Sequence, residues 1–396
     1  MGRLKPAPTT APGANAATRR LKPAATSEPG TGNPELGTRS PELPTPNSEP
    51  GTRNPEPATR NPELGTRNPE LVRPLLKWAG GKRQLLPVIR EFYPQHFSEY
   101  IEPFFGSGAV FFDLCAAGRL DGRRVRLADA NPDLVGCYTM LRDRTDDVIA
   151  VLEKLAAHHR SGGDAFFYEV RDTRFNPARA GVHAAYTPEL AAMLIYLNRT
   201  GFNGLFRLNR RGEFNVPAGR YANPRIFDPA HVRHVAFALR GAGVTMVLES
   251  FEASLARVGR GAFVYCDPPY APLSRTASFA NYTADGFGAA DQERLRDAIV
   301  AAAGRGAAIV VSNSSAPLIE ALYTSQTARR AGLRVERVPA RRAINSRATS
   351  RGPVDELLIT NVDRRPALSA AEGTRSLDLK PKMARAALRQ RAARAV

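Results

Sequence analysis

Short apolar runs recur through the middle of the chain, and several are followed by stretches with helical periodicity. Tyr100-Ile101, Val125 to Ala128, Val244 to Leu248, Ala262 to Cys266 and Ala307 to Val311 read as buried strands. Amphipathic helices are predicted near 83–93, 108–117, 291–303 and 315–323. This alternation predicts an α/β domain on a mostly parallel sheet. It breaks between about 132 and 227, where the chain is first helical in pattern and then rich in Asn, Arg and Gly. That stretch reads as an inserted second module.

The two ends lack such patterning. Residues 30–71 are a tandem seven-residue repeat: GTGNPEL, GTRSPEL, PTPNSEP, GTRNPEP, ATRNPEL, GTRNPEL. A seven-residue period can mean a coiled coil. Here every unit carries a proline and at most one leucine, so no apolar seam exists and helix is excluded. The expected organisation is a disordered Pro-rich tail over 1–71, a main domain from 72–131 and 228–363, an inserted domain over 132–227, and a disordered basic tail over 364–396.

Charge adds a partner to this picture. The 396 residues carry a net charge of +18, which favours a polyanion. The tails hold +2 and +7 of it, leaving +9 on residues 72–363. The folded part is therefore basic in its own right. No run of eighteen or more apolar residues occurs, and the first residues do not resemble a secretory signal. A cytoplasmic protein is expected. Cys115, Cys137 and Cys266 are scattered without CxxC spacing, which argues against zinc and against disulfides. No metal site is expected.

Four segments carry candidate chemistry. Lys77-Trp78-Ala79-Gly80-Gly81-Lys82 offers a flexible backbone between cations and a stacking face. Glu102-Pro103-Phe104-Phe105-Gly106-Ser107-Gly108 is a glycine turn between a strand and a helix, suited to a nucleotide-like ligand but short of the full dinucleotide fingerprint. Asp129, about twenty residues further on at the next strand end, fits a carboxylate for ribose hydroxyls. Each of these, alone, also reads as an ordinary turn or a solvated strand end. Asp267-Pro268-Pro269-Tyr270 follows a strand directly and is the most specific of the four. An exocyclic amine is a poor nucleophile while its lone pair is delocalised into the ring. A carboxylate (Asp267) and a backbone carbonyl (Pro268) can accept its two hydrogens and stabilise the charge formed on attack. The prolines withhold N–H groups that would repel the amine, and Tyr270 offers a stacking face. A proline turn with a capping aspartate remains the alternative for this segment by itself.

Together and in this order, the segments resemble the Dam family, the D12 class of DNA adenine-N6 methyltransferases. The resemblance covers nearly all of 73–361. It extends to 198–221 (NRTGFNGLFRLNRRGEFNVPAGRY), similar to the family's DNA-reading hairpin. It also takes in 267–282 (DPPYAPLSRTASFANY), similar to the catalytic loop of GATC-methylating members, and 340–361, similar to a closing β-hairpin. The fold it implies is a Rossmann-like class I S-adenosylmethionine-dependent methyltransferase with a smaller, mainly helical target-recognition domain containing a β-hairpin. The activity it implies is methyl transfer from S-adenosylmethionine to an adenine flipped out of double-stranded DNA, within 5′-GATC-3′; a monomer, the default for an enzyme that moves along duplex DNA, is expected in the cytoplasm at the nucleoid. Asp267, Pro268 and Tyr270 match the catalytic set. Trp78, Lys82, Glu102, Gly106, Gly108, Asp129 and Asp267 match cofactor positions. Phe202 and Asn203 match residues that fill the space of the displaced base. Lys77, Leu205, Arg207 and Pro217 match readers of base edges, and Arg220 and Tyr221 match further DNA contacts. Ala222 and Asn223 depart from the pattern, since close relatives often carry lysines there.

Two alternatives stay open at this point. Cytosine-N4 methylation uses the same physics, though usually with SPPY. A basic DNA-binding protein without catalysis would also account for the charge. Cys266 adjoins the motif but lies outside any Pro-Cys nucleophile segment, and reads as a buried strand-end residue.

Overall fold

The computed structural model describes residues 72–78, 80–180, 186–272, 287–341 and 353–365. Both expected tails lie outside these residues except for Arg364 and Arg365, as do much of the catalytic loop and the tip of the closing hairpin. The elements in chain order begin with α1 Leu86–Ile89, β1 Glu99–Glu102, α2 Ala109–Ala116 and β2 Arg124–Asp129. Next come α3 Pro132–Asp143, α4 Thr145–Glu169, α5 Asn176–Ala180, α6 Pro188–Thr200 and α7 Pro229–Leu239. The chain then returns through β3 Val244–Leu248, α8 Phe251–Ala256, β4 Ala262–Cys266, α9 Ala289–Gly304, β5 Ala308–Ser314, α10 Pro317–Thr324, α11 Gln326–Arg330, β6 Arg334–Arg341 and β7 Pro353–Thr360.

The five apolar runs all form strands of one seven-stranded sheet, ordered β3-β2-β1-β4-β5-β7-β6. The first five are mutually parallel, and β7 runs antiparallel to both β5 and β6. Strand β4 is buried along its whole length, and its side chains alternate between two cores. Phe263 and Tyr265 face one, with Tyr93, Phe97 and Tyr100 packed around the Phe263 ring. Ala262, Val264 and Cys266 face the other, beneath α8 to α11. A period of two with both faces apolar is what a central strand between helical layers requires.

Helix starts follow local chemistry. Asn131 caps α3 by accepting from the N–H groups of Asp133 and Leu134, and Pro132 occupies the first turn. Asp228 and Pro229 do the same for α7. The helix expected over 83–93 is instead a 3₁₀ turn at 82–84, the short α1 and a second 3₁₀ turn at 90–92. Pro87 lacks the N–H that a continuous ladder would need, so the helix must restart at Leu86. The 198–221 hairpin is irregular, held by isolated bridges Gly201↔Ala218 and Leu208↔Phe214 rather than by regular strands. No helix among the described residues is long and apolar enough to cross a membrane.

Candidate active site

The sheet order decides where the motifs meet. Strand β1 pairs with β2 on one side and β4 on the other, so the connections leave in opposite directions and open a crevice beyond the strands' carboxyl ends. Glu102 ends β1, Asp129 ends β2, and Asp267 follows the last residue of β4. Ser312, Asn313 and Ser314 end β5 beside it.

The glycine turn and Asp129 form one unit. Phe105 N–H donates to the Ala128 carbonyl at 2.9 Å, which ties the turn to β2. Asp129 then accepts from Gly106 N–H at 3.0 Å and from Asn131 N–H at 2.9 Å. Gly106 and Gly108 have φ of 51° and 70°, a region L side chains rarely adopt. A Cβ on Gly108 would lie 2.5 Å from the Phe105 ring, so this glycine is required by packing inside the turn. A Cβ on Gly106 would meet Trp78 at 3.3 Å, which places the tryptophan against the turn. Burial pushes the Asp129 carboxyl up to about 6.

The second unit surrounds Asp267. Lys82, only 4% exposed, places its ammonium 2.8 Å from Asp267 Oδ1, and the Ser312 hydroxyl donates to the same oxygen at 3.0 Å. The ammonium also donates to the Gly80 carbonyl and lies 4.5 Å from the centroid of the Tyr270 ring. Tyr270 is fixed at its other end, its hydroxyl donating to Glu356 Oε2 on β7 at 2.5 Å. Burial raises the Asp267 carboxyl above its ordinary range, and Lys82 and Ser312 oppose that rise. Glu102 is fully enclosed and accepts from the Tyr100 hydroxyl at 2.7 Å. Burial raises its carboxyl well above the usual range, and the charges of Asp267 and Asp129 add to the rise. The Cys266 thiol is buried and pushed up by the same enclosure, so it is not poised as a nucleophile.

These groups fit S-adenosylmethionine on chemical grounds. Three carboxylates gather at the strand ends with one direct ammonium partner, an acidic setting for a positively charged ligand. Asp129 keeps acceptor capacity beyond its backbone bonds. The Asn131 Nδ2, two residues on, is buried without a partner among the described residues.

A third cluster joins the KWAGGK segment to the irregular hairpin. The buried side chain of Asn198 accepts from Lys77 N–H at 2.8 Å and donates to the carbonyls of Lys77 at 2.7 Å and Gly204 at 2.9 Å. Trp78 stacks on Phe206 with ring centroids 5.5 Å apart, and the Lys77 ammonium lies 4.7 Å from the Tyr221 ring. Next to the Gly201↔Ala218 bridge at the hairpin's open end, Phe202 is 45% exposed and Asn203 holds a positive φ of 54°. Phe202 N–H donates to the Pro217 carbonyl, which joins the two arms there, whereas the turn itself is closed by Asn209 N–H donating to the Glu213 carbonyl. Arg207 is exposed, its guanidinium aimed by Asn215 through Oδ1 at 2.8 Å. Pro217 and Arg220 are exposed, whereas Leu205 is half-buried against the core. Arg73, Lys77, Arg199, Tyr221 and Arg225 line a cleft alongside. Burial lowers the Arg199 guanidinium from its ordinary value, and the neighbouring Arg73 and Arg225 lower it further.

Residues 78–338 match the family described as D12 class N6 adenine-specific DNA methyltransferase. The chain belongs to this family. It is 35% identical over 291 residues to the Type II methyltransferase M1.LlaDCHI of Lactococcus lactis subsp. cremoris, covering 73% of this chain and 95% of that protein. It is 38% identical over 301 residues to the Type II methyltransferase M.MjaIII of Methanocaldococcus jannaschii, covering 73% and 99%. It is 37% identical over 286 residues to the DNA adenine methylase of Escherichia coli (strain K12), covering 72% and 94%. Membership makes this methyltransferase an adenine-N6 enzyme of DNA, against the cytosine-N4 reading.

Within the methyltransferase, Lys82, Asp267 and Tyr270 are in direct contact, Trp78 joins Gly106, and Lys77 joins Tyr221. Arg207 stands apart from these clusters. Ser312, Asn313, Ser314, Gln292, Glu356 and Asn198 were not singled out from sequence. One signal was available for three of them: Ser312-Asn313-Ser314 follows an apolar strand directly, and strand ends in such a fold line the crevice.

Proposed function

We propose that this enzyme methylates the adenine N6 within 5′-GATC-3′ of duplex DNA, on a base turned out of the helix. What carries the reading is the Asp267 carboxylate, held by Lys82 and Ser312 at the carboxyl end of β4 with Tyr270 beside it. An amine inside the stack is out of reach, and extrusion brings it to this carboxylate. Asp267 and the Pro268 carbonyl each accept one amine hydrogen, which localises the nitrogen lone pair and stabilises the developing ammonium. Tyr270, pinned between Lys82 and Glu356, presents a fixed face for the base to stack on. Trp78, Lys82, Glu102, Gly106, Gly108, Asp129 and Asp267 hold S-adenosylmethionine, Asp129 through the ribose hydroxyls. When bound, that co-substrate supplies a methyl group activated by its positive sulfonium.

The hairpin reads the site. Phe202 and Asn203, exposed at its open end, enter the space left by the base. Arg207 can donate two hydrogen bonds to a guanine edge, Lys77 reads a second edge, and Leu205 and Pro217 touch thymine methyls. Arg220 and Tyr221 contact the strand alongside. The GATC assignment rests on the likeness of residues 198–221 and 267–282 to GATC-methylating enzymes, of which 273–282 lie outside the described residues. Plasmid incubated with the enzyme and S-adenosylmethionine should resist an endonuclease that cuts only unmethylated GATC and become sensitive to one that requires the methylated site. Continued cleavage by the first and none by the second rejects the target. The enzyme is also read as a monomer acting in the cytoplasm at the nucleoid; a dimer mass by light scattering removes the monomer.

Asp129 gives a pH signature. Its ionised form accepts from ribose hydroxyls, so ligand binding favours the carboxylate. Affinity for S-adenosylhomocysteine should therefore be level above the group's pKa of about 6 and weaken below it. The slope should approach about tenfold per pH unit. Calorimetric titration through this range tests it, and Asp129→Asn should remove the step. A flat profile in the parent protein rules out this role for Asp129.

A further inference from the structure

Pro268 and Pro269 give the catalytic loop two carbonyls and no N–H. Such a segment cannot be fixed by donors of its own backbone, so its direction must be set from outside. Three buried side chains from α9 and β5 do this. Gln292 Nε2 donates to the Pro269 carbonyl at 2.9 Å. Gln292 Oε1 accepts in turn from Asn313 Nδ2 at 3.0 Å. Asn313 Oδ1 accepts from Ala271 N–H at 3.4 Å and from Ser314 N–H at 2.8 Å. The Ser314 hydroxyl closes the set by donating to the Ala271 carbonyl at 2.7 Å. Gln292 is 1% exposed and Asn313 is fully buried, so a broken link leaves a polar group without water to replace its partner.

We propose that Gln292 is a positioning residue for methyl transfer. By holding the Pro269 carbonyl against the protein, it leaves the adjacent Pro268 carbonyl to the target amine. The relay grips the loop on both sides of Tyr270, at residues 269 and 271, so it also fixes the stacking face. The proposal rests on the reading of Asp267 and Pro268 as the amine's two acceptors. A residue needed only to fill space at this point could be any side chain of similar volume. One that aims a carbonyl must be both donor and acceptor.

Two variants test it in single-turnover methylation of a one-site duplex, with affinities for the duplex and for S-adenosylhomocysteine measured beside the rate. Gln292→Met keeps the volume and removes both hydrogen bonds. Its rate should fall about a hundredfold, the scale of a small misplacement of a reacting group, with both affinities within about threefold of the parent. Gln292→Glu keeps the shape. Ionised, it cannot donate to Pro269; protonated, it can, while still accepting from Asn313. Its rate relative to the parent should rise as pH falls, by up to about tenfold per unit. A Gln292→Met rate within about threefold of the parent overturns the proposal, as does a loss shared equally by both affinities. If that variant does not fold, the Gln292→Glu profile decides, and a shape identical to the parent's overturns it. Asp267→Ala in the same assay separates the two claims. Parental activity there removes the reading of the site, whereas an inactive Asp267→Ala beside an active Gln292→Met removes only the positioning role.

Discussion

Replacing Asp267 with alanine should lower the single-turnover rate of duplex methylation about a thousandfold, equivalent to ~4 kcal/mol of transition-state stabilisation. The carboxylate is asked to accept a hydrogen from the amine at the moment positive charge appears on nitrogen, in a site where burial weakens competition from water. Duplex affinity should change far less, because the hairpin and the basic residues of the Arg73–Arg199–Arg225 cleft lie on other segments. Asp267→Asn retains one acceptor and should fall by less than the alanine variant. Tritium transfer from labelled S-adenosylmethionine reads all three proteins directly. An alanine variant that labels duplex DNA at the parental rate removes Asp267 from the chemistry, and the proposed mechanism with it.

Lys82→Met should cost about a hundredfold near neutral pH, and the loss should shrink as pH rises. Burial already pushes the Asp267 carboxyl up, and the ammonium 2.8 Å away is the largest influence holding it down. Without that charge the carboxyl titrates higher. Since the ionised form accepts the amine hydrogen, the active fraction at a given pH is smaller and recovers in alkaline solution. Methionine preserves the apolar stem while removing the ammonium that faces Tyr270, so packing is largely kept. The check is a rate profile across the neutral and alkaline range for parent and variant. Parallel profiles, offset by a constant factor, show that Lys82 does not act by holding Asp267 ionised.

Much of the fold was legible because its signals are local. The runs at 244–248 and 262–266 coincide with β3 and β4, and the run at 307–311 seeds β5, which continues three residues further through polar Ser312, Asn313 and Ser314. Those three are buried as completely as the apolar part, yet polarity masked them as strand. The helix expected over 83–93 failed for the opposite reason, since its apolar spacing is helical while Pro87 interrupts the hydrogen-bond ladder. In the hairpin, the motif marked the segment, but its few backbone bridges are supplemented by side chains from elsewhere. Asn176 receives Phe214 N–H at 2.8 Å and returns a bond to its carbonyl at 3.0 Å, much as Asn198 does for Lys77.

By itself the sequence determined which residue types stand at the strand ends and in what order, because a strand, a glycine turn and a proline loop are each specified by neighbours a few positions apart. Only the tertiary structure decided that Glu102, Asp129 and Asp267 share one crevice, since that follows from β1 lying between β2 and β4. It alone also supplied the partners that hold them: Ser312 for Asp267, Glu356 for Tyr270, Gln292 for Pro269 and Asn198 for Lys77. These bonds join residues separated by 23 to 121 positions, and a hydrogen bond across such a distance leaves no periodic trace along the chain. It exists only once the burial of apolar surface has packed the elements together.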